Sequence, residues 1–194
     1  MIQRHNQIAA LWEWFTLNAV HFRDPQTPKE AAIAELSEKL HAIEPGLVFE
    51  FTVHDGAADE LVISADGIRD LFPIVLEVVG AAPQLPGWRI LPFRQPGNID
   101  ASIEMNGHHL GPDDIWFIVE PEREGNRLTL FVRGLSERNR DEVTGAVFVL
   151  LDNALGEYIV ETGLSSVNVE PLPTSKQHLR PFVDLPQCVK RNPH

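Results

Sequence analysis

An α+β fold is what this sequence predicts: a mostly antiparallel sheet with helices packed on one face and an N-terminal helical pair. Three observations carry that expectation. Apolar residues recur at three- and four-residue spacing over 8–22 and again over 33–43. They alternate in period two over 47–54 and through much of 99–134. The stretch 141–155 is apolar around most of its circumference.

Taken in order, Ile8, Leu11, Trp12, Phe15, Ala19 and Phe22 form the stripe of a first amphipathic helix, widened by Trp14 and Leu17. After the breaker "RDPQTP", Thr27 is expected as N-cap of a second helix, with Pro28 at its first position and Glu30 three residues after the cap. Its stripe is Ile33, Leu36, Leu40 and Ile43, and Pro45 and Gly46 end it. "LVFEFTVH" alternates as a half-buried strand and forms a hairpin with "ELVISA" across a short loop. Asp66 is expected to cap the next helix, "IRDLFPIVLEVVGAAP", in which Pro73 belongs in the first turn or two.

"LPGWRILPF" leads into a third strand. Two more strands are expected to join around Asn106 and Gly107, and "RLTLFVRG" follows the turn "EREGN", so 99–134 reads as an antiparallel meander. The apolar helix over 141–155 should be buried on more than one side. Gly156 then takes the left-handed position after it, and "EYIVE" and "SSVNVEPL" return to period two as a closing strand or hairpin with Glu157 facing solvent. The proline-rich tail is expected to wrap the surface as loop and short turns. With no repeat and no long linker, the expected organisation is one domain over 1–194: a helical pair at 1–44, a sheet with two helices at 45–172, and the tail at 173–194.

Charge narrows the function classes. Sixteen Lys and Arg face 28 Asp and Glu, a formal net charge of -12. A surface that negative repels phosphate backbones and anionic membranes unless its basic residues cluster, and the densest basic run, "RGLSERNR", is short and already holds Glu137. Neither nucleic acid nor a membrane is expected as partner. Cys188 is the single cysteine, so no intrachain disulfide can form; the first residues lack the uninterrupted apolar stretch and small-residue cleavage site of a secretory signal, and no apolar run approaches about 18 residues, so a cytoplasmic protein is expected.

Candidate chemistry centres on "LLDNALGEYIVE". Asp152 in the last turn of a helix is unfavourable by up to ~1 kcal/mol, so something should offset it. A structural role accounts for every residue: Asp152 and Asn153 hydrogen-bond to a loop or meet one of Arg89, Arg94, Arg127 and Arg133, while Gly156 stops the helix. The functional reading gathers Asp152, Asn153, Glu157 and Glu161 to bind a cation or a basic partner. On a strand, Glu157 and Glu161 would stand about 13 Å apart, too far for one ion. "GHHLGPDDIWF" supplies a local mix of imidazole and carboxylate in His108, His109, Asp113 and Asp114, but without HxH or HExxH spacing. No nucleophile elbow or phosphate loop occurs, and no cofactor or metal is expected. Trp12 and Trp14, about 200° apart around a helix, require burial on two sides or leave one ring exposed as an interface anchor.

The stretches "WEWF", "ELVISADGIRDLFPIVLEVV", "APQLPGWRILPFRQP" and "LLDNALGEYIVE", in this order, resemble a family of uncharacterised bacterial proteins over roughly Trp12 to Pro171. That resemblance implies a bacterial source and one fold, and assigns no activity to any position. The expected function is a non-enzymatic acidic interaction protein that binds a basic protein partner through Asp152, Asn153, Glu157, Glu161, Trp12 and Trp14. The alternative is a small enzyme or ligand-binding domain with a pocket near Asp152 and Glu157. Oligomeric state is left open.

Overall fold

Helix α1 spans Ile2–Arg23 in the computed structural model, which describes residues 2–23, 29–54, 57–105 and 108–189. The chain divides into two units, 1–94 and 95–194. Together they are α+β, with three sheets in which antiparallel pairing predominates.

In the first unit, α1 and α2 (Glu30–Ile43) form the helical pair. Thr27 and Pro28, the expected start of α2, lie outside the described residues. Strands β1 (Val48–Thr52) and β2 (Asp59–Ser64) make the expected antiparallel hairpin, with Phe51 opposite Leu61. Helix α3 (Phe72–Gly80) then returns the chain to β3 (Trp88–Pro92), which pairs parallel to β2. A parallel neighbour requires such a crossover, and this one is supplied by the helix.

Phe15 and Phe22 of α1 stack edge-on to Trp88 and Phe51, with centroids 5.1 and 5.4 Å apart, so aromatic packing holds helix to sheet. Pro73 sits in the first turn of α3, where its missing N–H costs nothing. Asp66 does not cap that helix. It adopts φ 50° in a tight turn closed by the Ile68 N–H to the Ala65 carbonyl, and a 3-10 turn over Arg69–Leu71 intervenes before α3. The Asp-Gly pair favours a turn with positive φ, and that preference won over capping. The Asp66 carboxylate accepts from Arg94, 2.8 Å away, and Arg94 also pairs with Glu50 on β1. Partial burial opposes the charge on Arg94, but these two carboxylates hold its pKa above the ordinary guanidinium value.

In the second unit the expected meander breaks into two sheets. Strands β4 (Ile103–Met105) and β5 (His108–Leu110) pair only with each other. The 3-10 turn Pro112–Asp114 redirects the chain into β6 (Ile115–Glu122), which forms a long hairpin with β7 (Gly125–Val132). Helix α4 (Arg140–Leu155) matches the apolar run, although its Phe148 and Val149 stay exposed.

"EYIVE" is a helix and not a strand: α5 spans Glu157–Gly163 and is bent by 101° from α4. Gly156 at the elbow has φ 77° and ψ 151°, an extended mirror-image conformation that is essentially confined to glycine and is not the left-handed helical one expected. After α5, β8 (Leu164–Pro171) runs parallel to β7, and β9 (Arg180–Pro181) closes the order β8-β7-β6-β9.

One face of this sheet, with Phe117, Leu128, Leu130 and Val132, is buried against α4, α5 and α6 (Leu185–Cys188). The tail does more than wrap the surface, since Phe182, Leu185 and Val189 enter the core. Among the described residues no single helix is long and apolar enough to cross a membrane.

Candidate functional site

The α4–α5 elbow shows what the first candidate cluster does. Asn153 is a fastening: its Nδ2 donates to the Asn98 carbonyl at 2.6 Å and its own carbonyl accepts from the Gly97 N–H at 2.8 Å. A Cβ at position 97 would press on the Asn153 side-chain oxygen, so the loop can approach this closely only with glycine there. Asp152 is half-buried beside it, and its carbonyl receives the Gly156 N–H at 2.7 Å.

Glu157, expected to face solvent, is 2% exposed in the first turn of α5, where a carboxylate complements the partial positive charge of the helix start. Because α5 is helical, Glu157 and Glu161 are one turn apart on one face, about 6 Å between β-carbons and not 13 Å. The two carboxylates are therefore close enough to face one partner. Even so, no group of three or more His, Cys, Asp or Glu able to hold a metal occurs among the described residues.

Beside the elbow lies an open cleft of about 570 Å³ lined by Ala154, Leu155, Ile159, Pro186, Gln187 and Val189, together with Pro96. Neither Asp152 nor Glu157 lines it. Among the described residues, Gln187 is the polar side chain that lines it.

The tryptophans separate. Trp12 is 4% exposed and its indole N–H donates to the Val78 carbonyl at 2.8 Å, so it is core with a satisfied polar handle. Trp14 is half-buried, edge-on to Phe22 and beneath Lys39, whose Nζ is 5.5 Å from its ring centroid. The roughly 200° between them is met by burying one ring and leaving the other at the surface.

Of the second candidate, Gly107 and the side chain of His108 lie outside what the structure describes, as does Asn106 of the expected strand junction. His109 is exposed on β5, Asp113 is exposed in the 3-10 turn, and Asp114 bridges to Arg133 at 3.1 Å while accepting the Gly111 N–H at 3.2 Å. Arg89, Arg94 and Arg127, named as possible partners of Asp152, have ion pairs with Glu60, with Glu50 and Asp66, and with Glu122.

A different surface was missed. Opposite the helix-covered face of the four-stranded sheet, the register places Trp116 beside Phe131 and Phe131 beside Glu170. The next row is Ile118, Thr129 and Asn168, and the third is Glu120, Arg127 and Ser166. Trp116, Ile118 and Phe131 are half-buried, Glu120 and Glu170 exposed.

Lys176 lies over the Trp116 ring with Nζ 3.3 Å from its centroid, and the Arg133 guanidinium is 5.4 Å from it. Two cations thus already favour the π-face of this tryptophan. The signal was present in the alternation of "IWFIVE" and "RLTLFV", which sets Trp116, Ile118 and Phe131 against the core set Ile115, Phe117, Leu128 and Leu130. Comparison with protein-family models, with curated proteins and with solved structures gave no match to this chain.

Proposed function

We propose that this chain is a non-enzymatic interaction protein that receives a basic segment of a partner protein on the Trp116 face of the β8-β7-β6-β9 sheet. The observation that carries the reading is Lys176 seated on Trp116, on a face that also bears Phe131, Ile118, Glu120 and Glu170. An aromatic centre with a charged rim is the composition of an interface hot spot. A lysine or arginine of a partner would take the seat that the chain's own Lys176 marks, and the carboxylates would steer it there.

The charge balance supports a basic partner over an acidic one. Arg4, Arg89, Arg94, Arg127, Arg133, Arg140 and Arg180 are each within ion-pair distance of a carboxylate. What is left to act at a distance is the net charge of -12, which disfavours nucleic acid and anionic membranes. The reading places the protein in the cytoplasm, in keeping with a sequence that holds one cysteine. Asp152, Asn153, Glu157 and Glu161 act in it as the framework that turns α4 into α5.

Capture from the native host tests it at low and high salt, with the native chain, Trp116→Ala and the charge reversal Glu170→Lys in parallel. A stoichiometric basic protein retained at low salt, released at high salt and lost by both variants is expected, since rim charges are screened. Failure to retain any stoichiometric partner, or equal retention by Trp116→Ala, would sink the reading.

A further inference from the structure

The polar segment that a protein-binding face leaves unused, from His109 to Asp114, encloses with Arg133 and the start of α4 a hollow of about 300 Å³. The geometry points to a binding site here for a small zwitterion of the aliphatic amino-acid type. Its back is apolar: Leu110, Val143 and Ala146 line it, each buried as part of the core. Its front is charged, with Asp114 and Arg133 opposed at 3.1 Å and His109 exposed at the mouth.

Both charged groups are held in place and neither is used up. Asp114 accepts the Gly111 N–H through Oδ2 and meets Arg133 through Oδ1. Arg133 donates through Nη2 to the Asp113 carbonyl at 3.2 Å, and its plane is steadied against Trp116. A guanidinium has five N–H donors and each carboxylate oxygen has a second lone pair, so capacity remains on both sides. Positioned groups with spare valence at the edge of an apolar hollow are what orient a small ligand.

The pairing of opposite charges selects the ligand class. A simple anion drawn to Arg133 would meet Asp114, and a simple cation drawn to Asp114 would meet Arg133. A molecule with an ammonium and a carboxylate on one carbon satisfies both, its ammonium donating to Asp114 and its carboxylate accepting from Arg133. Its side chain is then directed at Leu110, Val143 and Ala146. A hollow at the lower end of the range for small-molecule sites fits a side chain of the size found in valine or leucine.

The test is titration of the full chain with leucine, followed by calorimetry and by amide NMR shifts. Two analogues run beside it: 4-methylpentanoate, which lacks the ammonium, and 3-methylbutylamine, which lacks the carboxylate. Saturable leucine binding with shifts centred on Leu110, Gly134 and Val143 is expected, with both analogues at least tenfold weaker. Asp114→Asn keeps an acceptor for Gly111 and should weaken leucine at least tenfold. Should that variant lose its fold by circular dichroism, Arg133→Gln, at a side chain 57% exposed, carries the same expectation. No saturation at millimolar leucine, equal binding of either analogue, or undiminished binding by a folded variant overturns the assignment.

Discussion

Two acidic segments of the second unit, 150–161 and 109–114, look alike as strings of letters and do different things as structure. Around Asn153 and Gly156 the polar atoms are consumed in turning the chain: one amide and one carbonyl fasten the loop at Gly97 and Asn98, and a glycine-only conformation sets the elbow. Around Asp114 the polar atoms are positioned beside empty space and retain hydrogen-bonding capacity. What separates a fastening from a site is therefore spare valence facing a hollow, which a count of carboxylates in a sequence does not report.

The strongest way to break this contrast is at the elbow. Gly156→Ala forces a side chain into φ 77°, ψ 151° and should cost ~2 kcal/mol of unfolding free energy, read from the urea midpoint at unchanged m-value. A loss under ~0.5 kcal/mol would mean that the elbow relaxes easily and that its conformation is not what turns the chain.

The next effect sharpens the role of Asn153. Gly97→Ala places a methyl group against its side-chain oxygen, displacing the amide from Asn98 at a cost of ~1–2 kcal/mol. Gly97 does not have positive φ, so in an Asn153→Ala background the same change should be close to neutral, a coupling of at least ~1 kcal/mol in a double-mutant cycle. Simple additivity would remove the fastening from the account.

The smallest effect comes from outside both segments and shows how an exposed carboxylate behaves. The Ser165 hydroxyl donates to Glu122 at 2.7 Å, and Arg127 stands beside it, so the Glu122 pKa lies below the usual glutamate value. A depressed carboxylate contributes its stability above the unfolded value near 4.3 and loses it as pH falls through the lower folded value. In Ser165→Ala the Glu122 carbon resonance should titrate at higher pH than in the native chain. An unmoved titration would assign the shift to Arg127 alone.

Much of the fold was legible because its signals are local. The stripes of α1 and α2, the β1–β2 hairpin, Pro73 at the start of α3 and the apolar length of α4 follow from spacing and from single residues with fixed backbone preferences. Segment α5 was not legible, since Ile159 and Val160 carry strand propensity and seven residues are too few to display a helical period. Burial of Glu157, Val160 and Gly163 overrides that propensity. Asp66-Gly67 satisfies two local rules at once, and a sequence does not rank them.

The parallel partners of β2 and β7 were hidden for another reason. Pairing direction is set by the crossover through α3 and through α4 with α5, and leaves no mark on the strand itself. The Trp116 face is legible in the alternation of two strands, but it lacks the run of carboxylates that marks 150–161 and 109–114. The hollow at Asp114 is not legible, because it needs Arg133 from beyond the end of β7 and Val143 and Ala146 from α4 to meet the 3-10 turn.

The distribution of the indoles has an optical consequence. Of four tryptophans, Trp12, Trp14 and Trp88 belong to 1–94, and Trp116 alone belongs to 95–194. With the other three replaced by phenylalanine, emission from the protein would report one ring in contact with one ammonium group. Intensity and wavelength would then register any guest that displaces Lys176, with no dye attached to the chain.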